Sequence, residues 1–190
     1  ESGVPRPNVA HINTFEVEYS NTQDKLYSFG FSGGVDRLTA DASGVQFVSN
    51  IPTINGGRIR FDNGLIYGSR GGVVDPNTGL MKGSFTGLDF FDSIMTTDVP
   101  NGRAYFLTTD GSAANAVLRA YDLNTFIPLG TVSFPIPPSS PSSPVTTLIR
   151  WGTNGLALRN GSNVVFIQSS LVSNSGLVPT PTPTPSPSPS

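Results

Sequence analysis

Tight-turn dipeptides recur along this chain at a nearly constant spacing, each between two short apolar runs. Asp24 follows Gln23, and Asn63, Asn101 and Asn154 are each followed by glycine. Successive turn signals lie 39, 38 and 53 residues apart, and the last interval contains a proline-rich stretch. A period of about 40 residues with about four strands per unit is typical of β-propeller blades. The pattern predicts an all-β fold, a β-propeller segment of about four blade-like units and about fifteen strands.

The predicted units differ in how complete they are. In the second and third units, the last two strand-like runs are joined by turns that begin at Asp75 and Asp122, residues suited to turn geometry. The fourth unit has only three strand-like runs, so it is predicted to lack its outer strand. The N-terminal segment could supply that strand only by edge pairing, because Pro5 and Pro7 remove two backbone donors. The predicted division is an N-terminal segment 1–9, blades at about 10–50, 54–88, 92–136 and 145–172, and a tail 173–190.

Composition agrees with many strands joined by tight turns. The 190 residues include 21 glycines and 17 prolines, and no apolar run approaches the roughly 18 residues of a membrane span. With 11 basic and 13 acidic side chains, the formal net charge is −2, which argues against nucleic acid as a partner. Cysteine is absent, so disulfides and thiolate metal sites are excluded. The start, Glu1-Ser2-Gly3, lacks an initiating Met and a signal, so we interpret the chain as processed or as part of a longer one.

Two proline-rich tracts interrupt the strand pattern. Residues 179–190 alternate proline with threonine and then serine, which predicts an extended polyproline II tail. This composition suits either an unmodified spacer or an O-glycosylated stalk. Residues 137–144 are predicted to form a surface loop, because the missing N–H groups exclude a central strand. The candidate glycosylation sites in the tail are Thr180, Thr182, Thr184, Ser186, Ser188 and Ser190.

Residues 121–130 (YDLNTFIPLG) resemble the outer hairpin of bacterial YVTN/quinoprotein-like propeller repeats. Residues 148–157 (LIRWGTNGLA), followed by 165–168 (VFIQ), resemble the closing blade of large secreted bacterial propeller proteins. Residues 62–67 (DNGLIY), 74–76 (VDP) and 3–8 (GVPRPN) fit the same group. The resemblance spans roughly residues 3–172 and covers blade and turn motifs, so it bears on fold more than on activity. It implies the later half of a secreted propeller whose relatives usually have about seven blades.

Few residues in the chain are suited to catalysis. His11 is the only histidine, so a transition-metal site would need carboxylates alone. A Ser–His–Asp site would also depend on His11, which has no nucleophile-elbow motif near it. Asp89, Asp92 and Asp98 could face a central channel and hold Ca²⁺ or act as an acid–base pair, although turn capping also explains the scattered aspartates. We therefore predict no catalytic residue, no metal site and no cofactor.

Other side chains have two interpretations each. Arg150 and Trp151 lie on the predicted innermost strand of the last unit, where packing of Trp151 between blades is favoured over a sugar-stacking platform. Phe90 and Phe91 form a loop pair that could be exposed. Residues 160–162 (NGS) fit an N-glycosylation site, but a hairpin turn is favoured. The aromatic residues expected to pack between blades are Phe29, Phe31, Phe61, Tyr67, Phe85, Phe106, Tyr121, Phe134 and Phe166.

These features favour a non-catalytic structural or adhesive module, located outside the cell or at its surface. Self-association is predicted because an open ring exposes the apolar faces of its end blades, and contact between unlike ends closes a ring or propagates as a filament. The alternatives are a module that binds a carbohydrate or protein ligand and, third, a propeller lyase or lactonase. A deep channel lined by clustered Asp, His and Arg would favour the enzyme, and an apolar centre would favour the scaffold.

Overall fold

The computed structural model describes residues 7, 14–20, 25–30, 33–52, 54, 57–88, 93–109, 115–137 and 145–172. Within these ranges the chain forms fifteen strands and one short 3₁₀ turn, Val99–Asn101, and no α-helix. The strands are β1 (Thr14–Ser20), β2 (Lys25–Gly30), β3 (Val35–Asp41), β4 (Gly44–Ile51), β5 (Ile59–Asp62), β6 (Leu65–Gly68), β7 (Gly72–Val74), β8 (Met81–Ser84), β9 (Ile94–Asp98), β10 (Arg103–Thr109), β11 (Asn115–Asp122), β12 (Pro128–Pro135), β13 (Val145–Trp151), β14 (Gly155–Asn160) and β15 (Asn163–Gln168).

The strands form four antiparallel sheets in which neighbours in sequence are neighbours in space. Strands β1 to β4, β5 to β8 and β9 to β12 form three four-stranded blades, and β13 to β15 form a three-stranded fourth blade. The sheets are arranged as a four-blade β-propeller, which confirms the predicted fold class. The fourth blade has three strands within the described ranges. The predicted tail lies outside these ranges, as do all but residue 7 of the predicted N-terminal segment and all but residue 137 of the 137–144 loop.

The turn between the third and fourth strands has the same chemistry in blades 2 and 3. Asp75 Oδ1 accepts a hydrogen bond from the backbone N–H of Asn77 at 2.9 Å. Asp122 Oδ1 accepts from the N–H groups of Thr125 at 2.8 Å and Asn124 at 2.9 Å. These bonds stabilise the ionised carboxylates and lower the pKa of both aspartates. The equivalence of the two turns, predicted from their spacing, is confirmed.

Two predicted Asn-Gly hairpins are also present. Asn63 and Gly64 have φ values of 47° and 77°, the backbone that a two-residue hairpin turn requires. Gly161, at φ 61°, turns the chain between β14 and β15. The side chain of Asn160 is fully buried, and its Nδ2 donates to the carbonyl oxygen of Pro137 at 2.5 Å. The turn at Gly161 confirms the hairpin interpretation of residues 160–162. The burial of the Asn160 amide argues against N-glycosylation at this site.

Three apolar clusters fill the spaces between consecutive blades. Between blades 1 and 2, the rings of Tyr27 and Phe61 stack with centroids 5.2 Å apart. Between blades 2 and 3, Phe85 is surrounded by other aromatic rings. Between blades 3 and 4, the core is mostly aliphatic, including Leu118 and Leu156, and also contains the buried ring of Tyr105. We call the face that a blade turns toward the next blade in sequence its forward face, and the opposite face its rear face. Each apolar cluster lies between the forward face of one blade and the rear face of the following blade.

Most aromatic residues expected in the core are buried there. Phe29, Phe61, Tyr67, Phe85, Phe106 and Tyr121 are buried. Phe134 is partly buried, and Phe31 lies outside the described ranges. The expectation was wrong for Phe166, which is mostly exposed on the forward face of blade 4. Its environment depends on whether a further blade follows, which the local sequence does not reveal.

Candidate functional site

Acidic side chains of the first blade bridge to the second near the propeller axis. Glu16 Oε2 accepts from the backbone N–H of Ile59 at 2.8 Å, and Glu18 Oε2 accepts from that of Phe61 at 3.3 Å. The two amides lie on β5, the first strand of its sheet, so the carboxylates satisfy donors at an otherwise unpaired edge. Burial raises the pKa of Glu18, although the bond from Phe61 opposes this effect.

The next two blade junctions use acids in the same way. Thr97 Oγ1 on β9 donates to Asp62 Oδ2 on β5 at 2.5 Å. Arg150 Nε on β13 pairs with Asp98 Oδ2 on β9 at 2.8 Å, and Asn101 Nδ2 donates to the same oxygen at 2.8 Å. The Asp98 side chain is only 5% exposed. An acid on the innermost strand of blades 1, 2 and 3 therefore bonds to the innermost strand of the following blade.

The structure describes only some of the residues that were weighed as candidates for catalysis or metal binding. Asp98 is engaged in the ion pair between blades 3 and 4, so it is not a free carboxylate of an open channel. His11, Asp89, Asp92 and the Phe90–Phe91 pair lie outside the described ranges, as do the six tail glycosylation sites. In the part of the chain that is described, no three His, Cys, Asp or Glu residues are grouped so that they could hold a metal ion.

The forward face of blade 4 carries apolar side chains where the earlier blades carry acids. On β13, Ile149 and Trp151 point away from blade 3, since they alternate with the core residue Leu148. Ile149 pairs with Ala157 on β14, and Ala157 pairs with Phe166 on β15, so Phe166 lies on the same face as Ile149. The ring centroids of Trp151 and Phe166 lie 4.7 Å apart. The expected packing of Trp151 between blades is therefore wrong. Together with Val164, these residues form the blade-4 face, each 45–62% exposed.

The rear face of blade 1 is apolar as well. Strict alternation in β1 places Glu16 and Glu18 toward blade 2 and Val17 and Tyr19 on the opposite side. Phe47 on β4 lies on the same side of the sheet as Tyr19, because direct cross-strand pairs through β2 and β3 connect the two residues. Val17, Tyr19 and Phe47 are 50–55% exposed and form the blade-1 face.

The two end faces are not joined to each other by an apolar core. Among the described residues, the three buried clusters join blades 1 to 2, 2 to 3 and 3 to 4, and none joins blade 4 to blade 1. Grouped apolar side chains that are about half exposed mark surfaces that other molecules contact. The blade-4 face and the blade-1 face are therefore the candidate interaction surfaces.

A pocket lies where the four innermost strands converge. Arg58 crosses this region, and its guanidinium donates to the carbonyl oxygen of Thr146 on β13 at 2.7 Å, linking blades 2 and 4. The lining is mixed, neither an apolar plug nor a cluster of Asp, His and Arg. The residues that line it are Glu16, Glu18, Arg58, Ile59, Arg60, Ile94, Met95, Thr146, Thr147, Leu148 and Ile149.

Sequence reasoning singled out Arg150 on the innermost strand of the last blade, but not Glu16, Glu18, Arg58 and Arg60 at the axis. The alternation of β1, TFEVEYS, was the available signal, because it separates two acids from the exposed apolar side chains Val17 and Tyr19. The bonding partners of those acids are more than 40 residues away in sequence, at Ile59 and Phe61.

Comparison with protein-family models and with curated protein sequences adds no relative to these observations. No protein-family model matches the chain, and no curated protein sequence matches it. Within the described ranges, no helix is long and apolar enough to cross a membrane. Function must therefore be inferred from the two end faces and the axial pocket.

Proposed function

We propose that this chain is a non-catalytic structural or adhesive propeller module that self-associates head to tail. The blade-4 face of one copy packs on the blade-1 face of the next. The observation that carries the proposal is the presence of exposed apolar side chains on two unlike faces at opposite ends of the blade series. A contact between unlike faces closes into a ring or continues as a filament, depending on the rotation between copies.

The internal architecture supports this mode of contact. All three blade junctions within the chain pair a forward face with a rear face. The proposed junction between copies uses the same pairing, with the forward face of blade 4 and the rear face of blade 1. It differs in lacking an acidic bridge, because Ile149 and Trp151 stand on the forward side of β13.

The apolar area sets the expected strength of association. The two faces together carry seven apolar side chains that are about half exposed. Burying the remaining surface of each side chain contributes on the order of 1 kcal/mol to the free energy of association. Their sum exceeds the lower end of the cost of bringing two proteins together, about 4–15 kcal/mol, so the expected surplus is small. Assembly is therefore expected to depend strongly on protein concentration.

The described carboxylates near the axis support a role without catalysis. Glu16 and Glu18 accept backbone hydrogen bonds, Asp62 accepts one from Thr97, and Asp98 is held by an arginine. A general base must be within reach of a substrate proton, and these groups instead hold blades together. No described cluster favours the lyase or lactonase alternative.

The location that we propose is outside the cell or at its surface. It is supported by the Thr/Ser-Pro tail, whose composition is that of glycosylated stalks, and by the resemblance of residues 148–157 and 165–168 to the closing blade of large secreted bacterial propeller proteins. The proposed tail solvates the module and carries sugar on some of the six alternating Thr and Ser residues between 180 and 190.

Natively isolated protein should be heavier than the bare 20.0 kDa polypeptide by whole hexose-type increments. Intact-mass spectrometry measures this difference on two proteins produced in the native source, the unmodified chain and a truncated chain that lacks residues 179–190. The added mass should disappear with the tail. Native protein whose mass equals that of the polypeptide would contradict the glycosylated tail without affecting the proposed assembly.

Two arginine substitutions test the head-to-tail contact. Phe166→Arg should disable the blade-4 face and Phe47→Arg the blade-1 face, because each places a charge in an apolar contact. Each variant alone should stay monomeric by light scattering in a concentration series from about 50 µM to about 1 mM, whereas the unmodified chain should become larger as its concentration rises. An equimolar mixture should form a dimer and stop there, since each variant keeps the face that the other has lost.

Leu80→Arg is the matched control for this experiment. Leu80 is 65% exposed but lies in the turn before β8, on neither end face. This variant should assemble like the unmodified chain. A monomeric unmodified chain, or a mixture of the two face variants that stays monomeric, would rule out the head-to-tail contact.

A further inference from the structure

The chain turns inward after its last strand and contacts blade 3. The four residues that follow β15, residues 169–172, form a turn in which the N–H of Val172 donates to the carbonyl oxygen of Ser169 at 2.9 Å. The N–H of Leu171 also donates to Ser169 Oγ, at 3.2 Å. We call residues 169–172 the C-terminal clasp. It connects the last strand to the proposed tail.

Side chains of blades 3 and 4 hold the last two carbonyl oxygens of the clasp. On β10, Arg103 Nη1 donates to the carbonyl oxygen of Leu171 at 2.5 Å, and the Tyr105 hydroxyl donates to the same oxygen at 3.3 Å. On β13, Arg150 Nη1 donates to the carbonyl oxygen of Val172 at 3.3 Å. Arg150 is also the cation of the ion pair between blades 3 and 4. The clasp is therefore bonded to both blades at their junction.

The clasp also contributes side chains to the apolar core. Val172 is fully buried between blades 3 and 4, and Leu171 packs against the same core. Leu171 lies over Gly130 on β12, where an added Cβ would be 2.6 Å from Leu171 Cδ2. A glycine on the outer strand of blade 3 thus leaves room for this contact. Burial of apolar surface and side-chain hydrogen bonds together attach the clasp to the two blades.

This route determines how tension on the tail reaches the fold. Within the described ranges, β15 is the last strand of its sheet and pairs with β14. Tension applied directly to the end of such a strand breaks its ladder one residue pair at a time, and each backbone hydrogen bond contributes little on its own. The clasp lies between the tail and β15, and its hydrogen bonds and buried side chains belong to adjacent residues. These contacts must therefore break together before β15 is loaded.

We propose that the C-terminal clasp is a mechanical anchor, through which the module bears tension applied to its tail. The tension enters the junction of blades 3 and 4 and does not peel β15 from its sheet. The anchor adds an attachment point to the proposed structural role. It does not depend on contact between copies, because every group that forms it belongs to one chain.

Constant-force optical tweezers test the anchor on single molecules of the full chain. The chain has no cysteine, so Asn124→Cys in the exposed turn of blade 3 and a cysteine added after Ser190 provide two unique attachment points. Leu171→Ala should shorten the time to the first rupture about tenfold or more at the same force, because the clasp loses apolar contacts with the core. Arg103→Met, which removes a donor to the clasp, should have an effect in the same direction.

A second pulling direction is the matched control. Asn77→Cys replaces the cysteine after the tail, so that tension runs between the equivalent exposed turns of blades 2 and 3 and bypasses the clasp. In this direction Leu171→Ala should leave the time to rupture unchanged within about twofold. If neither variant accelerates rupture through the tail, the clasp does not bear the tension and the inference is overturned. Equal acceleration in both directions would also overturn it, because a general loss of stability would then explain the result.

Discussion

Phe85→Ala should lower the free energy of unfolding by about 3–5 kcal/mol, because the small side chain leaves a cavity between blades 2 and 3. Phe85 is 2% exposed and its ring lies 5.1 Å from that of Phe106 and 5.2 Å from that of Tyr121. Phe126 approaches the same ring edge-on at 5.3 Å. No other ring in the described chain contacts so many aromatic neighbours, so the loss includes ring–ring contacts as well as burial.

Equilibrium unfolding in urea measures this effect. Phe166→Ala is the comparison, because the same truncation at a mostly exposed ring should change the free energy of unfolding by no more than about 0.5–1 kcal/mol. Phe85→Leu should fall between the two, since it keeps much of the buried volume. A loss below about 1 kcal/mol for Phe85→Ala would contradict the described packing between blades 2 and 3.

Arg150→Met should destabilise the fold by about 3–5 kcal/mol, because it leaves the Asp98 carboxylate buried without its cation. Asp98→Asn should cost less. Arg150 keeps hydrogen bonds to the carbonyl oxygens of Thr153, Gly155 and Val172 when the carboxylate is gone. The double variant Asp98→Asn, Arg150→Met should be more stable than Arg150→Met alone, since no unpaired charge remains.

A double-mutant cycle in urea, repeated at high salt, measures the coupling between Asp98 and Arg150. The coupling should persist in salt because buried charges are poorly screened. Lys82→Met is the control, since it breaks the exposed pair between Lys82 and Asp75, whose atoms lie 3.7 Å apart, and should cost less than about 1 kcal/mol. Additive effects of the two substitutions at Asp98 and Arg150 would show that the ion pair does not join the blades.

The blade pattern was predictable because it depends on interactions between residues that are close together in the sequence. Turns such as those at Asp75 and Asp122 depend on residues two or three positions away, so they can be recognised along the chain. Alternation within a strand likewise separates its two faces. These local features were sufficient to predict four units and a last blade that has three strands within the described ranges.

The details of the candidate sites were not predictable in this way. Asp98 and Arg150 are 52 residues apart, and only the stacking of blades brings them together. The strand register places Trp151 and Phe166 on one face, but the local sequence does not tell whether another blade covers that face. Their exposure follows from the number of blades, a property of the whole chain.

The succession of blade junctions also shapes how this protein unfolds. Since each apolar cluster joins only blades that are adjacent in sequence, the molecule resembles a one-dimensional array in which stability is a sum of neighbour terms and fraying can begin at either end. Arg58 departs from that scheme, because its bond to Thr146 ties blade 2 to blade 4. Detachment of the last blade must therefore break a contact with the second as well as the third, which makes the loss of that blade more cooperative than in a simple linear repeat.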